Sequence, residues 1–178
     1  MLKKIENNLR EFVYGGMDGA VTTFAVVTGA AGAGLSSNII LILGFANVLA
    51  DGFSMAVGSY LSEKSDQDVL RKQGKQTDSD HQTAKTASIA TFISFVLVGF
   101  IPLSLYTIDF IFKAGWTSGD LLVWSIILTL AAFAAIGYLR GKVARVDKAR
   151  TTMESLSLGV AAAVISYVVG NLLEKIIT

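Results

Sequence analysis

Two aspartates stand inside stretches of sequence that are otherwise free of charge, and their position makes them the first residues to consider for chemistry. Asp18 is followed by 32 uncharged residues before the next charge, Asp51. An aspartate at the centre of a membrane-spanning helix costs roughly 2.5–3.5 kcal/mol to insert. A chain that keeps one there has a partner, a wet cavity or a bound ion to offset that cost. No Lys or Arg falls inside the apolar stretches to neutralise either acid. This favours a cation or proton site over a structural hydrogen bond between helices. Residues three, four and seven apart share a helix face. Around Asp51 that face carries Gly44, Asn47, Ser54, Met55 and Gly58; around Asp18 it carries Glu11, Tyr14, Thr22, Ala25, Gly29 and Gly32. Carboxylate and amide oxygens suit Mg²⁺, Mn²⁺ and Fe²⁺, and a thioether shifts the preference towards softer ions. Met55, one turn beyond Asp51, therefore points to Fe²⁺ or Mn²⁺, although a methionine taken alone is more often packing filler. Glu154, at the start of the last apolar stretch, reads equally as a third acid at the mouth of an ion path or as a solvated end residue.

Other chemistry finds little support. The polar segment 62–85 carries Glu63, Asp66, Asp68, Asp78, Asp80 and His81. The run Asp78-Ser79-Asp80-His81 could bind a divalent ion transiently, but Lys64, Arg71, Lys72 and Lys75 balance the acids, which favours a solvated linker. With no Cys there is no thiolate metal site or Cys nucleophile, and a single His excludes multi-His sites within one chain. There is no G-x-S-x-G elbow, Walker A motif or H-E-x-x-H. No catalytic residue and no resident cofactor are expected, so the chain does not read as an enzyme. An ATP-driven pump would need a nucleotide domain that 178 residues, mostly apolar, cannot hold.

The elements that must position these residues follow from composition. Of the 178 residues 52% are hydrophobic and only 16% charged, against about 25% charged in an ordinary soluble domain. Mean hydropathy is +0.57. Disorder needs low hydrophobicity, and nucleic-acid binding usually needs a basic surplus, whereas the net charge here is +1. Segments 19–50, 86–108, 121–139 and 155–173 carry no charge, and each reaches the ~18 residues of a membrane-spanning candidate. The first is too long for one span, and Gly29, Gly32, Gly34, Ser36, Ser37 and Asn38 mark a turn within it. The expected fold is therefore all-α: a single transmembrane domain over 1–178 with five spans, at roughly 11–32, 38–61, 86–108, 120–139 and 154–174. Helices satisfy their own backbone in lipid, and Pro102 should kink the third. Of the 15 Lys and Arg, 13 then fall on one side, in the segments before span one, between spans two and three, and between spans four and five. The positive-inside rule places that side, and the N-terminus, in the cytosol. A cleaved signal peptide is the rival reading of the first span, and Asp18 within it argues against that reading.

The residues around both aspartates resemble a known family. Gly15-Gly16-Met17-Asp18-Gly19 with Thr22-Thr23-Phe24-Ala25 and Gly29 resembles the first helix of the vacuolar iron transporter family. Gly44-Phe45-Ala46-Asn47, Ala50-Asp51-Gly52-Phe53-Ser54-Met55-Ala56 and Gly58-Ser59-Tyr60-Leu61-Ser62 resemble its second. Pro102 after Gly99-Phe100-Ile101, and Gly159 with Tyr167 and Gly170-Asn171-Leu172-Leu173, fit its third and fifth. The resemblance implies five membrane helices, a cytosolic N-terminus, a homodimer with the ion path between subunits, and export of Fe²⁺ and Mn²⁺ in exchange for protons. The family's first-helix aspartate falls on Asp18 and its second-helix methionine on Met55. Many members carry a glutamate where this chain has Asn47, and here Asp51, one turn on, can supply the carboxylate. Eukaryotic members also carry a Glu-rich cytosolic domain; this chain has only a short linker there and resembles the shorter prokaryotic-type members.

The combined expectation is a dimeric exporter of Fe²⁺ or Mn²⁺, integral to the membrane (the cell membrane in a prokaryote), with metal ions, protons and the bilayer as partners and no nucleic acid. Asp18, Asn47, Asp51, Met55 and Glu154 are its candidate metal residues. Burial disfavours a charged carboxylate, so such a group can trade a proton for the ion. The alternative is a non-transporting membrane metal sensor or assembly protein, whose buried acids bridge helices.

Overall fold

The computed structural model describes the backbone of residues 2–74 and 80–177, and the side chains of 11–74 and 84–177. Asp78 and Ser79 of the possible transient ion site therefore lie outside the described residues, and the side chains of Asp80 and His81 do too. Among the described residues the chain is all helical: α1 (Leu2–Gly32), α2 (Ser37–Lys72), α3 (Asp80–Gly99), a 3₁₀ turn (Ile101–Leu103), α4 (Ser104–Phe112), α5 (Ser118–Ala144) and α6 (Lys148–Ile177).

Each boundary has a local cause. α1 stops at a turn in which Gly34 adopts φ +65°, a conformation costly for a residue with a Cβ. There the Leu35 N–H bonds the Ala30 carbonyl and the Gly34 N–H bonds that of Ala31, both at 3.0 Å, capping carbonyls the helix would leave open. Proline lacks an N–H and its ring clashes with the preceding turn; the third apolar segment breaks at Pro102, where a 3₁₀ turn separates α3 from α4. The Ser125 hydroxyl on α5 donates to the Pro102 carbonyl at 2.6 Å, which ties the break to its neighbour. α5 begins at Thr117, whose hydroxyl oxygen accepts from the Asp120 N–H at 3.1 Å, an N-cap.

Among the described residues four helical segments are long and apolar enough to cross a membrane: Ser37–Lys72, Ala84–Phe112, Ser118–Ala144 and Lys148–Ile177. The protein is an integral membrane protein. α1 is not among the four, and packing explains its composition. It contacts α2, α3, α5 and α6, and Ala20, Thr23, Phe24 and Val27 on it are wholly buried. A central helix meets other helices rather than lipid, so close approach matters more than hydropathy. At Gly19 a Cβ would run into the Phe95 carbonyl of α3. Phe24 packs on Phe133 of α5 with ring centroids 6.2 Å apart. Thr28 and Thr129 hydroxyls donate to the Phe24 and Ser125 carbonyls of their own helices, at 2.8 and 2.7 Å, so these buried polar groups are satisfied locally. α2 and α6 instead expose large apolar side chains, among them Ile42 (67%), Phe53 (66%) and Ile165 (64%).

The helices alternate in direction. The α1–α2 turn and the start of α5 meet at one end, where the Ser37 and Ser118 hydroxyls are 3.4 Å apart. The opposite end gathers Glu11 on α1, the last turns of α2 and α5, and the start of α6. There Thr91 on α3 donates to Glu11 on α1 at 3.1 Å, and Arg140 on α5 pairs with Glu154 on α6 at 2.9 Å. α2 runs well past the apolar span 38–61, so residues 62–72 are helix rather than linker.

Candidate metal centre

The extension of α2 changes what its polar face can do. Positions 47, 51, 55, 58, 62 and 66 recur at three- and four-residue steps and share one side of a helix. From Asp51 onward this stripe, with Ser59 and Glu63 at its edge, lines a cleft of about 880 Å³. α1 contributes Glu11, Val13, Tyr14 and Met17 to the same cleft; α2 contributes Asp51, Ser54, Met55, Gly58, Ser59, Ser62, Glu63 and Asp66; and the end of α5 contributes Arg140, Val143 and Ala144. Four carboxylates and two thioethers thus face one open space. Hard oxygens with a softer sulfur contact suit first-row divalent ions over Ca²⁺ or Mg²⁺. The acids are strung along the cleft: among the described residues no three Asp, Glu or His side chains converge on one point.

The five candidate residues fall into three groups. Asp51 and Met55 line the cleft directly. Asp18 is half-buried on α1, next to the lining residue Met17. Asn47 lies one turn before Asp51 on α2, and its buried Nδ2 has no hydrogen-bond partner. A buried polar atom is normally paired, and a half-turn of the amide exchanges its nitrogen and oxygen ends. Asn47 can therefore present an oxygen at this point. Glu154 stands apart from the lining. Its Oε2 accepts from Arg140 Nη2 at 2.9 Å and its Oε1 from Arg150 Nε at 3.1 Å.

The cleft also holds residues that sequence reasoning did not select. Met17, adjacent to Asp18, brings a second thioether. Glu63 and Asp66 had been assigned to a solvated linker. The signal that could have found them is the three- and four-residue spacing from Asp51 through Met55, Gly58 and Ser62 to Asp66, which continues after the apolar stretch ends.

With this geometry in view, the relatives of the chain can be compared. A family model described as the VIT family matches residues 9–86 and 73–171. The chain belongs to that family. Vacuolar iron transporter 1 of Arabidopsis thaliana is 24% identical over 221 aligned positions, covering 93% of this chain and 86% of that protein. Vacuolar iron transporter homolog 4 of the same plant is 29% identical over 142 residues, or 75% of this chain and 69% of that protein. The vacuolar iron transporter of Toxoplasma gondii is 39% identical over 70 residues, covering 39% of this VIT-family chain and 23% of that protein. The alignment thus spans under a quarter of the Toxoplasma relative and most of the Arabidopsis transporter.

Proposed function

We propose that this VIT-family chain is a transporter, rather than an enzyme, that carries Fe²⁺ or Mn²⁺ out of the cytosol in exchange for protons. The observation that carries this reading is the cleft between α1, α2 and the end of α5, with Asp51, Met55 and Met17 along it, in a chain similar to proteins named vacuolar iron transporters. Asp18 and Asp51 supply carboxylate oxygens, Asn47 an amide oxygen and Met55 a thioether. α1 is the fifth span, shielded from lipid by its neighbours. The cleft opens at the end where Lys64, Arg140, Lys142, Arg145, Lys148 and Arg150 gather, which the positive-inside rule assigns to the cytosol. A second copy of the chain covers the apolar outer face of α2 and completes the path as a homodimer. This fits acids that are spread along one chain rather than gathered into a closed site.

The test is flux in proteoliposomes loaded with a pH dye. If metal enters while protons leave, adding Mn²⁺ outside makes the vesicle interior more alkaline. Asp18→Ala and Asp51→Ala should each abolish both signals. Mn²⁺ flux unchanged in both variants would sink the site assignment, and flux without any pH change would leave a channel in place of an exchanger.

A further inference from the structure

The mouth of the acidic cleft contains a positive charge. Among the described residues lining it, Glu11, Asp51, Glu63 and Asp66 are acidic and Arg140 is the one Lys or Arg. A fixed cation beside a cation's route opposes entry, since like charges repel at short range. Arg140 is also held in a specific way. Arg150 and Glu154 are an i,i+4 pair on α6 at 3.1 Å, so the carboxylate is anchored on its own helix. Its other oxygen reaches across to α5 and takes Arg140 Nη2 at 2.9 Å. Both oxygens of Glu154 are therefore engaged by guanidinium groups, which suits a tether better than a metal ligand.

We propose that Arg140 is a tethered cation that limits how tightly divalent ions are held in the cleft, with Glu154 as the positioning residue that holds it at the rim. The inference rests on the metal reading of the cleft. At a given distance the guanidinium repels a divalent ion twice as strongly as a monovalent one. Breaking the tether leaves Arg140 able to lean into the cleft and oppose entry more strongly. Arg140 thus lowers affinity for every cation, and for divalent ions most.

The experiment is Mn²⁺ titration of the purified full chain in detergent at low ionic strength, read by calorimetry, with K⁺ as competitor. Arg140→Gln should bind Mn²⁺ about three- to tenfold more tightly and become less sensitive to K⁺. Glu154→Gln should bind Mn²⁺ more weakly by a similar factor. The double variant should match Arg140→Gln alone, because the carboxylate acts only through the arginine. Arg140→Lys, which keeps the charge, should not gain affinity, and this separates charge from packing. Weaker binding in Arg140→Gln, or a further loss when Glu154→Gln is added to it, overturns the proposal; the second result makes Glu154 a direct ligand. A wild-type protein that binds no Mn²⁺ fails at the earlier step, the metal reading itself, and removes this inference with it.

Discussion

Asn47 shows how a single side chain can trade stability for use. Its Nδ2 is buried without a partner, and an unsatisfied buried donor costs about 1–3 kcal/mol. Leucine has the same branched shape and no polar atom to satisfy. Asn47→Leu should therefore melt roughly 2–4 °C higher for each kcal/mol relieved, while Mn²⁺ flux in vesicles falls. A variant that melts higher and transports normally would make the amide a packing residue. The neighbouring carboxylates were legible in the sequence because a charge in a long apolar run is conspicuous. Met17 and Arg140 were not, since their roles depend on which helices pack together.

At the scale of elements, hydropathy located the parts of helices that match a bilayer and missed the parts that stand in water. The apolar span 38–61 lies wholly within α2, yet α2 continues to Lys72. Likewise α6 begins at Lys148, ahead of the span at 154–174. Helix geometry does not require apolar residues, so charged turns can continue the rod. The Pro102 break was readable because proline acts on the local backbone. The central place of α1 was not, because its many small residues and Asp18 weaken the hydropathy signal, and only tertiary packing shows why they are there. Gly19 gives that packing a test. A side chain at this position meets the Phe95 carbonyl, and overpacking typically costs about 1–3 kcal/mol. Gly19→Val should lower thermal stability by that amount with or without Mn²⁺ present. An unchanged melt would show that α1 and α3 can separate freely.

For the whole molecule, the strongest signal was asymmetry of charge along the chain. The segments before span one, between spans two and three and between spans four and five were expected on one side, and the last turns of α2 and α5 and the start of α6 do share one end of the bundle. Which compartment that end faces can be measured directly, because the chain has no cysteine. Ser65→Cys on the exposed outer turns of α2 and Ala114→Cys in the opposite loop should react with an impermeant maleimide from opposite sides of the membrane, with Ser65→Cys on the cytosolic side. Labelling of both from the same side would overturn the five-span arrangement.

The length of α2 has a consequence for competition with the lipid surface. Its 36 residues make a rod about 54 Å long at 1.5 Å per residue, against roughly 30 Å of hydrocarbon. Beyond the apolar span 38–61, residues 62–72 add about 16 Å of rod on the side of Glu63 and Asp66, enough to reach past a headgroup layer of roughly 5–7 Å. A divalent ion diffusing in meets the carboxylates of Asp68, Asp66 and Glu63 on this extension, set among Lys64, Arg71 and Lys72. Anionic lipids soak up such ions at the membrane surface, and a collector raised above them draws from bulk solution instead. The apparent KM for Mn²⁺ should then change little between neutral and anionic vesicles.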